Sequence, residues 1–434
     1  MPPPELEIWG GIECTINRIG NVYADQLEYA GHYERETDLR QIADLGIKTL
    51  RYPILWERHQ PQNGKAIDWT FAETKLATLQ ELQIEPIVGL VHHGSGPAFV
   101  SFFDGSFEQG LADYARQVAE KLPWVNFYTP VNEPLTTARF CGLYGLWYPH
   151  GTDDYNFVRV LISECKATVM AMQAIRQVNP LAQLVFTEDL GKTYSTAMLH
   201  YQADFENHRR WISFDLVSGK VNVKHPMWEY LLWAGAQEED LYFLLTSPCP
   251  PDIIGLNYYI TSERYLDEAL ETYPANTHGG NGRHCYADVE AVRVQLDEPT
   301  GPYTLIKEVW DRYHSPLAVT EVHLHCTREQ QLRWFYGMWK TACQLKEDGV
   351  DIRAITAWAM FGSFGWNSLL TKPPGNYESG VFKLTKNKLK PTALAGLIDQ
   401  LIRKEKIRPS TLNGEGWWQT EERLLYTEWT QPPA

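Results

Sequence analysis

Read for the period of its apolar positions, the chain contains eight short runs rich in β-branched and aromatic residues. They lie at 6–14 (LEIWGGIEC), 49–56 (TLRYPILW), 85–93 (EPIVGLVHH), 125–133 (VNFYTPVNE), 182–189 (AQLVFTED), 252–260 (DIIGLNYYI), 316–322 (PLAVTEV) and 354–361 (AITAWAMF). Between them run stretches of helical period, as at 33–45, 155–178, 227–245 and 328–347. Strand and helix therefore alternate throughout, which predicts a parallel sheet closed into a single (β/α)8 TIM barrel. The runs are apolar through their bodies, as strands covered on both faces must be, and turn polar at their C-terminal ends. In such a barrel those ends line the mouth where catalytic groups sit, and here they offer Asn17, Arg51, His92, Asn132, Glu133, Glu188, Tyr259 and Glu321. Stretches 262–302 and 362–378, after the sixth and eighth runs, read as irregular loops at the same mouth. The barrel is expected to span 1–408, and 409–434 reads as a polar, Trp-containing tail.

Composition narrows the partners. With 39 basic and 54 acidic residues the formal charge is -15, which argues against nucleic acid or an acidic membrane face. The seven cysteines are scattered, form no CxxC pair and leave one over, so neither a disulfide framework nor a zinc module is indicated. The opening MPPPELEIWG has no basic segment followed by an apolar one, and no run approaches the ~18 apolar residues of a membrane helix. A cytoplasmic protein without membrane contact is expected, while its oligomeric state is left open. The 16 Trp and 23 Tyr supply flat, amphipathic rings of the kind that stack on sugar faces.

The chemistry rests on two carboxylates. In TPVNEP, Glu133 directly precedes Pro134, which biases it toward extended geometry and ends the strand. In LAVTE, Glu321 ends the seventh run, three positions round the ring from the fourth, so the two side chains can face one another. Two opposed carboxylates are the signature of glycosidase chemistry. Arg51 lies inside an apolar strand, where a guanidinium calls for a carboxylate partner, and a pair with Glu321 would keep that residue ionised. Glu133, without such a partner, would retain a raised pKa and supply the proton. His92 and His93 are neighbours on a strand, whose side chains point to opposite faces, so they are not expected to chelate one metal ion. Glu188 and Asp189 read as loop-organising residues and Tyr258 as packing. No metal or cofactor is called for.

These segments together resemble glycoside hydrolase family 1 (β-glucosidase-like). TPVNEP is similar to its TFNEP, VTEVH to ITENG, LEIWGG to FLWG, LRYPILWER to YRFSIxWxR, IVGLVHH to VTLYHW and IIGLNYY to LGINYY, in one order along nearly the whole chain. The resemblance implies Glu133 as general acid/base, Glu321 as nucleophile and Asn132 as donor to the sugar 2-hydroxyl. It also implies Arg51 and Tyr259 beside Glu321, and His92 on the 3-hydroxyl. Three positions depart from the pattern. The Gln that holds hydroxyls 3 and 4 becomes Asn17, and the Trp of YHW becomes His93. In WAMFGSFGW, which aligns with WSLLDNFEW, Trp358 and Trp366 remain but the Glu that grips hydroxyls 4 and 6 becomes Gly365. Recognition at positions 4 and 6 is therefore expected to be altered and permissive. The chain also resembles divergent bacterial modules of this family that precede a dTDP-4-dehydrorhamnose reductase-like domain, although no Gly-rich nucleotide turn follows residue 409. The expected activity is a retaining β-glycosidase acting on a small glycoside or oligosaccharide. The alternatives are a transglycosidase, or a non-catalytic carbohydrate-binding or scaffold protein on the same barrel.

Overall fold

The computed structural model describes residues 5–386, 388–407 and 410–424. Eight parallel strands close into a barrel in chain order: β1 (Glu7–Gly11), β2 (Thr49–Pro53), β3 (Glu85–His92), β4 (Phe127–Asn132), β5 (Gln183–Asp189), β6 (Ile253–Asn257), β7 (Leu317–Val322) and β8 (Ile352–Ala357). Closure comes from β1, which pairs with β8 through Trp9 and Thr356 and with β2 through Gly11 and Arg51. All eight fall on the runs read from the sequence, and the two-sided burial of β7 shows why its body is apolar. Gly11 has a packing reason: a Cβ there would lie 2.4 Å from the Trp358 ring, which crosses the top of the barrel beside it.

The helical coat follows the expected alternation. It comprises α1 (Asp38–Asp44), α2 (Thr70–Glu81), α3 (Ser106–Lys121), α4 (Asp154–Val178), α5 (Glu238–Thr246), α6 (Pro302–Tyr313), α7 (Arg328–Glu347) and α8 (Ala393–Ile402), with further helices between α4 and α5. Asp153 caps α4 by accepting from Asn156 N–H at 2.8 Å. Two helix expectations are corrected. The 33–45 stretch becomes helical only at Asp38, because the Tyr33 ring packs edge-on against Phe71 and Arg35 turns back to Asp38 Oδ1 at 2.8 Å. The 227–245 stretch is two helices, Trp228–Trp233 and Glu238–Thr246, broken at Gly235. That glycine has φ +100, and a Cβ on it would meet the Tyr155 ring at 2.4 Å.

The mouth is more ordered than expected. Within 262–302, Glu263–Asp267, Cys285–Glu290 and His278–Gly280 form a four-stranded sheet with Lys192–Ser195, rather than an irregular loop. Buried Glu263 pins it, accepting from Tyr194 Oη at 2.8 Å and Tyr258 Oη at 2.7 Å. Within 362–378, Ser363–Phe364 pairs with Tyr377–Glu378. The described part of the tail folds back on the barrel: Trp418 packs edge-on against Trp334 of α7 at 5.0 Å, and Arg423 donates to Val294 O at 2.7 Å. Among the described residues no helix is long and apolar enough to cross a membrane.

Candidate active site

Glu133 sits at the tip of β4 in a left-handed conformation, φ 50 and ψ 64, and not in the extended geometry that the following proline favours. The reason lies on the next strand. Buried Glu188 of β5 accepts from the N–H groups of Leu135 at 2.8 Å and Thr136 at 3.3 Å, so its carboxylate caps the helix Pro134–Ala138 directly after Glu133. Glu133 N–H donates to Thr187 O at 3.1 Å and its carbonyl accepts from Thr137 N–H at 2.8 Å, leaving the strand no room to run on. Such strain is characteristic of a functional position. Burial, then the negative charges of Glu321 and Glu188, push the Glu133 carboxyl well above its ordinary range. Its side chain accepts from the neutral amide of Asn257, the last residue of β6.

Glu321, on β7, has the opposite surroundings. Arg51 Nη1 donates to its Oε1 at 2.9 Å and also to Thr320 O at 2.7 Å, while Tyr259 Oη donates to Oε2 at 2.5 Å. This ion pair is the one expected from the lone guanidinium in β2, but it does not hold the carboxyl down. Burial raises Glu321 to about 7; Arg51 and Tyr259 pull the other way, and Glu13 adds to the rise. Desolvation outweighs the Arg51 cation.

Asn132 ties the two sides together. Its Oδ1 accepts from Arg51 Nη2 and from Thr187 Oγ1, both at 2.7 Å, and its Nδ2 lies 3.3 Å from both His92 Nε2 and His93 Nε2. Two accepting imidazoles must be neutral. Burial lowers both pKa values, His92 well below its ordinary value and His93 to about 3. The histidines do not diverge as strand neighbours should, because β3 ends at His92 and His93 turns back with φ 52, bringing both rings to the same amide. Their shared partner is thus an amide. Trp358 lies parallel to the His92 ring at 5.5 Å with the Arg51 guanidinium 4.7 Å from its centre, closing the floor.

The remaining wall is made of loops. Asn17, on the strand Ile16–Ile19, points its amide at Leu370 O, 3.4 Å away. Trp147 Nε1 donates to Leu369 O at 2.8 Å, and Trp366 stands edge-on to His93. Leu369 and Leu370 are both left-handed, with φ 49 and 58. Gly365 has φ +75, and a Cβ there would lie 2.9 Å from Pro374 O, so in this loop no side chain fits at 365. The structure therefore brings all nine candidate residues, Asn17, Arg51, His92, Asn132, Glu133, Tyr259, Glu321, Trp358 and Trp366, to one mouth. Sequence reasoning passed over Asn257, Glu13 and Trp147. The first two carried the same signal as Arg51, a polar side chain inside an apolar run; Trp147 carried none.

Residues 14–375 match Glycosyl hydrolase family 1, and the chain belongs to that family of glycoside hydrolases. Among curated relatives, beta-glucosidase A of Thermotoga maritima is 22% identical over 406 residues, covering 83% of this chain and 84% of that protein. A bifunctional beta-D-glucosidase/beta-D-fucosidase of Bifidobacterium breve is 23% identical over 390 residues, covering 77% and 80%. Among solved structures, the Thermotoga maritima beta-glucosidase in complex with azafagomine superposes with a TM-score of 0.74 at 17% identity, covering 94% of this chain and all of that one (100%). At that identity the superposition speaks for the barrel alone.

Proposed function

We propose that the chain is a retaining β-glycosidase whose recognition of the sugar is altered at positions 4 and 6. The observation that carries this reading is the unequal treatment of two buried carboxyls facing the same mouth. Glu321 receives a guanidinium and a phenol, which stabilise its anion; Glu133 receives a neutral amide and a neighbouring negative charge, which favour its acid form. Glu321 attacks the anomeric carbon while Glu133 protonates the departing oxygen, giving a glycosyl-enzyme ester; water activated by Glu133 then releases the sugar. Asn132 and His92 serve the 2- and 3-hydroxyl side, and Trp358 and Trp366 line the sugar site. The β-glucosidase names of the relatives support a β-linked glycoside as substrate.

The altered recognition rests on Asn17, whose amide is turned to Leu370 O, and on Gly365, which has no side chain to offer. Screening activated aryl β-glycosides of several sugars, with the first-released anomer followed by NMR, tests the proposal. Release of the β-anomer is expected. Release of the α-anomer overturns retention, and absence of turnover on every substrate favours a non-catalytic sugar-binding protein.

A further inference from the structure

Gly365 has no side chain to offer the far edge of the sugar site, yet a buried carboxylate stands against the next residue. Glu13, two residues beyond β1, is 3% exposed, and its Oε2 accepts from Trp366 Nε1 at 3.1 Å. Its Oε1 accepts from Thr15 N–H at 2.9 Å, which fixes the side chain across the turn that leaves β1. Its charge is felt by the Glu321 carboxyl and the Tyr259 phenol, and it feels that of Arg51, so it shares the reaction centre's surroundings. Round the ring, β1 lies between β8, which ends one residue before Trp358, and β2, which carries Arg51. Glu13 thus occupies the side of the mouth away from Glu133 on β4.

We propose that Glu13 grips the sugar on the edge remote from the bond being cleaved, accepting hydrogen bonds from its hydroxyls in place of a side chain at 365. The proposal rests on the sugar site described under Proposed function. A purely structural part is a poor explanation of this residue. Holding one indole N–H and one backbone N–H asks only for a neutral acceptor, whereas a third carboxylate beside Glu133 and Glu321, with Arg51 as the cation among them, is costly to bury. Thr15, through its N–H and hydroxyl, and the Trp366 indole take up part of the four acceptor positions of the carboxylate, which leaves capacity for a ligand's hydroxyls. Trp366 presents the same carboxylate with its indole edge, a wall against which a sugar ring can lie. The far edge is therefore rebuilt from β1 rather than lost, and recognition there is new and narrow instead of permissive.

The test is a binding cycle that does not depend on turnover. Deoxynojirimycin and its 4-deoxy and 6-deoxy analogues are titrated by calorimetry into the wild type and into Glu13→Gln. The ring nitrogen's charge is common to all three ligands and cancels in the ratios. The wild type should bind the parent at least about 10-fold more tightly than one of the deoxy analogues, the lower range for a charge-assisted hydrogen bond. Glu13→Gln should bring that pair to within about 3-fold. A wild type that binds none of the ligands, or does not discriminate among them, overturns the proposal without reference to any variant. So does a Glu13→Gln protein that weakens all three equally, since that is the mark of a structural latch. A protein that shows the expected cycle yet cleaves no aryl glycoside would keep Glu13 as a sugar ligand and refute the hydrolase mechanism instead.

Discussion

The floor and the far wall of the site are built by different means. On the floor, Asn132, Thr187, Asn257, Thr320 and Glu321 lie toward the C-terminal ends of the consecutive strands β4–β7 and bond between neighbours, at 2.6 Å from Thr320 to Asn257 and 2.7 Å from Thr187 to Asn132, while Arg51 of β2 reaches across the barrel to Asn132 and Glu321. Each group there is set by the barrel's register, as in Glu321 opposite Asn257. On the wall, Asn17, Trp147 and Trp366 bond to carbonyls and a carboxylate of loops, around two left-handed leucines. Under the proposed function, chemistry falls to the strand framework, and selectivity to loop segments that can change without disturbing it.

Substitution on the floor should have the larger effects. Glu321→Ala should reduce turnover of every glycoside to background, because no covalent intermediate can form. Glu133→Ala should cost about 100- to 10,000-fold on substrates with poor leaving groups, spare activated aryl glycosides, and be partly rescued by azide. If steady-state assays find both variants at wild-type rates, the floor is not the reaction centre and the contrast with the wall collapses.

The floor also carries the pH dependence. Glu321 faces Arg51, Tyr259, Glu13 and Glu133, and its value of about 7 means that kcat/KM should rise as pH increases through about 7, while Glu133 remains protonated above its ordinary range. The contribution of the raised carboxyls to stability should run the other way. Glu321 and Glu188 are both raised from 4.5 to about 7, so each of these two sites holds more proton in the folded chain than in the unfolded one in that interval, while the lowered His92 and His93 hold less. The favourable contribution of the two carboxyls is complete below about 4.5 and is lost as pH rises through about 7. In calorimetry beside the wild type, Glu321→Gln should therefore raise Tm more at pH above 7 than near pH 4.5. A Tm difference between variant and wild type that stays constant over this range would show that Glu321 is not buried as the structure has it.

This division explains what could be read from the sequence. Strand positions announce themselves by period, and a charged residue inside an apolar run, Arg51 or Glu321, has few places to go but the mouth, so the barrel and its carboxylates were legible. Loop geometry is not periodic. Nothing in GSFGWNSLL states that Leu369 and Leu370 turn left-handed, or that Trp366 meets Glu13 across 353 residues of chain. The reversal at His93 escaped for the same reason, since strand alternation holds only as far as the strand. The value for Glu321 escaped because depth of burial, which outweighs Arg51, is a property of the closed barrel and not of the pair.

On the wall the expected effects are on stability and on binding before chemistry. Gly365→Ala places a Cβ at φ +75 and 2.9 Å from Pro374 O, which should cost about 1–2 kcal/mol in denaturant unfolding and raise KM more than it lowers kcat. Retention of full stability would mean that the loop is free to move and does not fix the wall.

The smallest effect separates the two leucines. Leu369 and Leu370 share the left-handed strain, φ 49 and 58, but Leu369 is 40% exposed and Leu370 only 3%. Asparagine tolerates this conformation through its short polar side chain, relieving part of the ~1–2 kcal/mol that a branched residue pays there. At 369, with 40% of the residue exposed, less apolar surface is lost in exchange than at 370, so Leu369→Asn should stabilise the chain by up to about 0.5 kcal/mol. At 370 the same relief is set against the burial of a leucine, worth about 1.5–3 kcal/mol, and Leu370→Asn should destabilise. Parallel denaturant titrations decide it by sign alone. Opposite signs would establish that the wall is held in a strained conformation by the packing of one leucine, whereas destabilisation by both would place the loop's stability in side-chain contacts, with no strain to relieve.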